Sequence, residues 1–170
     1  MVDDQIKLLV FQESLEKESL GKSFVGLSVN ETIRACILGG FSKKVDKIKK
    51  DFGVTDKRFW YVKMKALVEM RDWDGLETFS KKKSPIGFEP WVEHLISTGS
   101  PRQAVTYVAK CEQKNKVELY VKCGEWVMAG QECVRRSDRG RLQDLRRRSP
   151  NGVISAELDQ LLDELSHGGM

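Results

Sequence analysis

The amino-acid sequence predicts an all-α fold, an α-α superhelix in which short helix pairs stack as an α-solenoid. Three observations predict it. Apolar residues recur at three- and four-residue spacing along the chain, interrupted by glycines and by residues that cap helices. Only four prolines stand among 170 residues, and runs of β-branched residues are few, which weighs against a sheet protein. A helix-turn-helix pattern also repeats weakly, which is the mark of a fold whose units bury their faces by stacking on neighbours.

Taken in order, Asp3 or Asp4 is expected to cap a first helix with Ile6, Leu9, Val10 and Leu15 as its apolar set. Residues 20–27, with Gly21 and Gly26, read as a connector. Ser28 and Glu31 form a capping-box pattern that opens a helix through Ile33, Ile37 and Leu38, and Gly39-Gly40 closes it. Ser42 starts a short helix carrying Val45, Ile48 and Phe52, with Gly53 just beyond. A longer helix runs from Thr55 or Asp56 to about Arg71; it is apolar around most of its circumference, as a helix packed on more than one side is. Its polar strip, Arg58, Tyr61, Lys65, Glu69 and Asp72, is spaced three or four residues apart and is the part expected to face out.

The repeat follows. Leu67–Met70 leads through Asp72-Trp73 to Leu76 and Phe79. Trp91–Ile96 leads through Gly99-Ser100-Pro101 to Ala104 and Tyr107, and Leu119–Val121 leads through Gly124-Glu125-Trp126 to Ala129 and Cys133. Trp73, Pro101 and Trp126 are equivalent, at spacings of 28 and 25 residues. Ser100, Pro101 and Gln103 read as cap, first helical residue and box partner. Trp73 and Trp126 are expected to pack between helices. Residues 1–148 are assigned to the solenoid. Residues 149–170 form a break at Ser149-Pro150-Asn151-Gly152 followed by an acidic amphipathic terminal helix, Ser155 to Ser166. That helix, with Leu158, Leu161, Leu162 and Leu165 on one side, is expected to dock back on the basic segment before it.

Composition and motifs narrow the function. The chain is 40 % hydrophobic and 32 % charged, with a net charge of only +4, so charge alone calls for neither nucleic acid nor a membrane surface. No stretch approaches the roughly 18 consecutive apolar residues of a membrane span, so direct membrane insertion is not expected. Asp3, Asp4, Glu13 and Glu16 near the start are unlike a secretory signal. Cys36, Cys111, Cys123 and Cys133 form no CxxC pair and lack a histidine at zinc-ligand spacing; they read as reduced thiols of a cytosolic protein. Gly21-Lys22-Ser23 resembles the end of a phosphate-binding loop, but the place of the first glycine is Glu16, so a turn is expected. His94 and His167 are far apart, and no carboxylate pair sits in a pocket-forming pattern. No catalytic, cofactor-binding or metal-ligating residue is therefore assigned, and the chain is expected to be no enzyme.

One electrostatic feature stands out. Arg135, Arg136, Arg139, Arg141, Arg146, Arg147 and Arg148 face only Asp138 and Asp144 within that segment. A basic solenoid binding RNA or acidic phospholipid through Arg135–Arg148 is thus the alternative function. No Phe, Tyr or Trp occurs from Arg135 to Met170, so the stacking platform of single-strand recognition is missing. A solvated basic helix or the rim of a protein interface is the expected reading, with no nucleic acid.

The run Asp51-Phe52-Gly53-Val54-Thr55-Asp56-Lys57-Arg58-Phe59-Trp60, then Lys65-Ala66-Leu67, Asp72-Trp73 and Phe79-Ser80-Lys81-Lys82-Lys83-Ser84-Pro85-Ile86-Gly87-Phe88, closely resembles the C-terminal region of vacuolar protein sorting-associated protein 16. Ile37-Leu38-Gly39-Gly40 fits the same family. The specific part covers about residues 28–96; the likeness is looser to Cys133 and slight beyond Arg148. It implies a subunit of the HOPS and CORVET tethering complexes, cytoplasmic and peripheral to endosome and lysosome or vacuole membranes. It also implies that the chain is a C-terminal piece of a longer protein with an N-terminal β-propeller. In that family this region binds the Sec/Munc-type subunit that chaperones SNARE assembly. Arg58, beside Phe59 and Trp60, is expected to lead the partner-binding residues, with Tyr61 and Lys65 as neighbours, because arginine among aromatics is a common hot-spot composition. Ser84–Gly87 is expected to be a shaped connector between helices.

Overall fold

The computed structural model describes residues 2–18 and 23–168. Among these the chain is all-α: α1 (Val2–Glu18), α2 (Val29–Leu38), α3 (Ser42–Asp51), α4 (Asp56–Glu69), α5 (Trp73–Ser80), α6 (Glu89–Ser97), α7 (Pro101–Val108), α8 (Gln113–Lys122), α9 (Trp126–Arg135), α10 (Arg139–Arg148) and α11 (Gly152–His167). The helices group into two compact units that divide between Ile86 and Gly87, inside the Ser84–Gly87 connector.

In the first unit the expected capping box at Ser28 and Glu31 is formed, and Thr55 caps α4 by accepting from the Arg58 N–H. The central helix is α4. It packs on α2 and α5, with Trp60 stacked on Phe79 at 4.0 Å between ring centroids. The first helix departs from its expectation. It begins at Val2, so Asp3 and Asp4 lie in its first turn, where they complement the helix dipole rather than cap it. Its buried residues are Gln12 and Leu15, while Ile6, Leu9 and Val10 face solvent.

The reason is polar. Gln12 Nε2 donates to Leu27 O (2.7 Å) and Thr32 Oγ1 (2.8 Å), and its Oε1 accepts from Gly26 N–H. One turn on, Glu16 accepts the N–H groups of Phe24 and Val25 and the Ser23 hydroxyl. These bonds turn the Gln12 amide and Glu16 carboxylate of α1 toward the loop before α2, whose backbone donors they satisfy, the part-buried N–H of Phe24 among them. The bonds also hold the Glu16 carboxyl below its ordinary range, Val25 contributing most. Of the Gly21-Lys22-Ser23 motif, Gly21 and Lys22 lie outside the described residues.

A single turn recurs through both units. The chain closes a helix with an N–H to C=O bond spanning five residues, passes through one left-handed residue, and starts the next helix two residues later. The bonds are Phe41 to Cys36, Asp72 to Leu67, Ser100 to Leu95, Glu125 to Tyr120 and Asp138 to Cys133, all 2.8–3.0 Å. The left-handed residues are Gly40, Arg71, Gly99, Gly124 and Ser137. Trp73, Pro101 and Trp126 each become the first residue of a helix, so the sequence repeat marks a real structural period. Ser42 and Arg139 occupy the same place, and the pattern missed both. Ser100 does stand at the cap position, but its hydroxyl does not cap: its ψ of 54° is not the extended backbone that aims a cap side chain at the third helical N–H.

In the second unit α6 packs on α7, α7 on α8 and α8 on α9, while α9, α10 and α11 pack mutually. Trp91 is fully buried, its ring 5.1 Å from Phe88 and 5.3 Å from Tyr107. Trp73 and Trp126 are only half-buried, less than their expected packing role suggests. The terminal helix starts at Gly152, three residues before its expected start, because Asn151 caps it by accepting from the Ile154 N–H. Leu158 is completely buried against α9, where Gly130 leaves room for it.

Candidate partner-binding face

The face the sequence singles out lies on α4, and α2 extends it. Gly53 takes a left-handed φ of 58° and Thr55 caps, so α4 begins in a fixed register. That register turns Phe59, Trp60, Met64, Ala66, Leu67 and Val68 inward. Arg58, Tyr61, Lys65, Glu69 and Asp72 are all exposed, as the three- and four-residue spacing predicts.

Each predicted residue is placed as follows. Arg58 Nε donates to Asn30 Oδ1 of α2 at 2.5 Å, a bond to a neutral amide that holds the guanidinium in position and leaves its charge uncompensated. Tyr61 is 40 % exposed. Neither Tyr61 nor Lys65 has a partner among the described residues, so both present their polar ends outward. Asn30, Arg34 and Glu69 were not among the candidates. Arg34 of α2 grips Glu69 of α4 through two guanidinium nitrogens, one bond measuring 2.8 Å. The carboxylate raises the Arg34 guanidinium above its ordinary range. Arg34 sits on a helix with its own apolar stripe, and only the packing of α2 on α4 brings it beside the strip. With Arg34, Arg58 and Lys65 against Glu69 and Asp72, the face carries a small positive excess and one exposed aromatic.

The arginine run is arranged differently. Glu132 of α9 is buried, 3 % exposed, and pairs with Arg135 (2.7 Å) and Arg136. Arg136 Nη2 lies 3.0 Å from this carboxylate but off-line for a hydrogen bond, while its Nε donates at 3.1 Å. Arg148 reaches back to Glu118 of α8 through both terminal nitrogens (2.9 and 3.1 Å) and also pairs with Asp144. Arg146 makes a two-toothed bond to Asp159 of α11, and Arg139 donates to Ser166 of the same helix. Arg147 pairs with Asp144, and Arg141 donates to the Lys114 carbonyl. All seven guanidiniums thus have a protein acceptor, and four of them tie α10 to α8 or α11.

Chemically reactive groups are muted. Burial pushes the Cys36 and Cys133 thiols up to about 11 and Cys111 up to about 12, which leaves them protonated at neutral pH. Among the described residues no three His, Cys, Asp or Glu side chains are grouped to hold a metal ion. His94 is half-buried in α6, and the exposed His167 has Nδ1 2.7 Å from the Asp163 carbonyl.

Comparison with known proteins converges on one family. The profile of "Vps16, C-terminal region" matches residues 1–163, which extends the likeness well past Arg148. The chain is 37 % identical over 166 residues to the vacuolar protein sorting-associated protein 16 homolog of Dictyostelium discoideum, covering 96 % of this chain and 20 % of that protein. It is 35 % identical over 167 residues to the probable homolog of Schizosaccharomyces pombe, covering 95 % and 20 %. It is 36 % identical over 162 residues to the protein VACUOLELESS1 of Arabidopsis thaliana, covering 94 % and 19 %. The chain spans about a fifth of the length of these relatives. An all-helical chain, matched along nearly its whole length by this profile and these relatives, belongs to the Vps16 C-terminal region family.

Proposed function

We propose that the chain is a non-catalytic scaffold element of an endosomal or vacuolar membrane-tethering complex of the HOPS and CORVET type. In it, the chain holds the complex's Sec/Munc-type SNARE-chaperone subunit among other tethering subunits. The observation that carries this is the exposed strip on α4, fixed in register by Asn30 and Arg34 of α2, with Arg58 poised and uncompensated. A pre-positioned arginine beside an exposed tyrosine supplies binding energy without the ordering cost of a free side chain. No described helix is long and apolar enough to cross a membrane, so association with endosome or vacuole membranes would be peripheral, through partners. On this reading residues 1–148 present the solenoid surface and residues 149–170 close its end. The phosphate-binding alternative is weakened because Arg135, Arg136, Arg146, Arg147 and Arg148 pair with carboxylates, while Arg139 and Arg141 bond only neutral acceptors.

Binding of the chain to the purified Sec/Munc-type subunit, followed by calorimetry, tests the proposal. Arg58→Glu is expected to weaken binding at least about tenfold with unchanged helicity, and Tyr61→Ala and Lys65→Glu by less. Intact binding by Arg58→Glu would refute the interface. Failure of the unaltered chain to bind, with salt-sensitive retention on phosphate-rich ligands instead, would refute the function.

A further inference from the structure

The link between α10 and α11 is three residues long, Ser149-Pro150-Asn151, and Asn151 precedes the glycine that opens α11. Of the three asparagines in the chain it is the one followed by glycine; Asn30 precedes Glu31 and Asn115 precedes Lys116. The amide carbon of an asparagine side chain is open to attack by the backbone nitrogen that follows it, which closes a succinimide ring. Glycine favours that attack, because it has no Cβ to block the approach or restrict the backbone. Around Asn151 the fold gathers the groups that the attack needs. Asn151 and Gly152 are both exposed, so water reaches them. Gly152 is the first residue of α11, where a backbone N–H has no partner within the helix. The electrophile is polarised: Asn151 Oδ1 accepts the Ile154 N–H at 2.9 Å, a donor placed to hold the oxyanion formed on attack. The nucleophile is an amide nitrogen that must lose its proton, and the resulting charge spreads onto the Asn151 main-chain oxygen. That oxygen accepts two bonds, from the Ser155 N–H at 3.1 Å and the Ser155 hydroxyl at 3.0 Å. Ser149 Oγ in turn contacts the Ser155 hydroxyl. Asn30 and Asn115 are placed otherwise. Both lie within helices, Asn30 Oδ1 is held by Arg58, the Glu31 N–H after it is bonded to Ser28 Oγ, and Asn115 Nδ2 donates to Glu89.

We propose that Asn151-Gly152 is a self-modification site, at which the chain deamidates and so changes how α11 is fastened. The Gly152 nitrogen attacks Asn151 Cγ; the new N–C bond closes the succinimide as the Cγ–Nδ2 bond breaks. Ammonia leaves with a proton equivalent to the one given up by the Gly152 amide. Water then opens the ring, at the side-chain carbonyl to give aspartate or at the main-chain carbonyl to give isoaspartate. One water is consumed and one ammonia released, and nothing is oxidised or reduced. The two products act differently on α11. Aspartate keeps an oxygen for the Ile154 N–H and adds negative charge where the helix dipole favours it. Isoaspartate routes the main chain through Cβ and Cγ, so the cap is lost and the link from α10 lengthens. The reaction draws on residues 149–155 and water alone, and it is independent of the partner proposed for the α4 strip.

The test incubates the whole folded chain near neutral pH, then follows its peptides by chromatography and mass spectrometry. The peptide holding Asn151 should convert into two products, each with an acid in place of the amide, while Asn30 and Asn115 stay intact. Gly152→Ala should slow the conversion about tenfold or more. A Cβ at Gly152 meets nothing within 4 Å, so this variant keeps the fold. Ser155→Ala removes one donor from the Asn151 oxygen and should slow the conversion several-fold at unchanged helicity. Hydrogen exchange at Ile154 should speed up in the isoaspartate form and not in the aspartate form. An intact Asn151, or a Gly152→Ala variant that converts as fast as the unaltered chain, overturns the proposal. It is likewise overturned if Ser155→Ala leaves the rate unchanged, or if Asn30 or Asn115 converts as fast, because the fold then builds no site at Asn151.

Discussion

Gly130 in the middle of α9 is where the terminal helix gains its seat, and one added methyl group tests it. A Cβ at Gly130 would stand 2.7 Å from Leu158 Cδ2, 2.8 Å from Leu161 Cδ1 and 3.4 Å from Leu142 Cδ1. Carbon atoms rest at about 3.5–4.0 Å, so both α11 leucines must retreat by roughly 0.7–0.8 Å or leave their rotamers. Overpacking of this kind costs about 1–3 kcal/mol. Glycine to alanine within a helix gains about 1 kcal/mol on its own. Gly140 in α10 supplies the reference, since a Cβ there meets only Asp138 Oδ1 at 3.9 Å. Gly140→Ala should therefore stabilise by up to about 1 kcal/mol, and Gly130→Ala should fall about 1–3 kcal/mol below it. Urea unfolding of the two variants gives the difference, and hydrogen exchange shows where it arises. The amides of α11 should lose protection in Gly130→Ala, while those of α7 and α8 keep theirs. If Gly130→Ala stabilises as much as Gly140→Ala, or if α11 protection is unchanged, the seat does not depend on this glycine.

Arg71 and Ser137 hold left-handed φ values of 54° and 56° in the recurring turn, so Arg71→Gly and Ser137→Gly should each raise stability by about 0.5–1 kcal/mol, read from thermal unfolding. Glu132→Ala strands the half-buried Arg136 beside a void and should cost about 1–3 kcal/mol by urea titration; an unchanged midpoint would show that the pair is replaceable by water. The Glu16 carboxyl is held below its ordinary value of 4.5, so it stabilises the 23–28 loop above that pH, and the contribution is lost as pH falls through the lowered value. Amide shifts of Phe24 and Val25 should follow that acid transition and disappear in Glu16→Gln. Cys36, Cys111 and Cys133 should resist alkylation at pH 7 until the chain unfolds, since burial keeps them as thiols; rapid modification of the folded chain would contradict their packing.

Much of this molecule was legible because its signals are local. Helical spacing of apolar residues, the Ser28–Glu31 box, Thr55 at its cap and the start positions Trp73, Pro101 and Trp126 depend on residues within one turn of each other. The outward strip on α4 was legible for the same reason: one helix with six inward residues leaves a single face over. Motif likeness from Asp51 to Phe88 added the family, which spacing alone does not give.

What the sequence by itself could not determine was which of two plausible faces a helix buries, and with what its charges pair. Ile6, Leu9 and Val10 form a regular apolar set, yet α1 turns them outward, because Gln12 and Glu16 answer backbone donors of a loop that follows in the chain. The sequence left the arginine run as a solvated helix, an interface rim or a phosphate surface; only the fold brings Glu118 of α8 to Arg148 and Asp159 of α11 to Arg146. Ser137 hid one turn of the recurring period, since it takes there a left-handed conformation that sequence preference assigns to glycine. For α1 and the arginines the deciding partner is distant in sequence. The sequence thus determined the helices, their period and the exposed α4 strip; the tertiary structure decided which distant carboxylates Arg146 and Arg148 meet and which face of α1 turns inward.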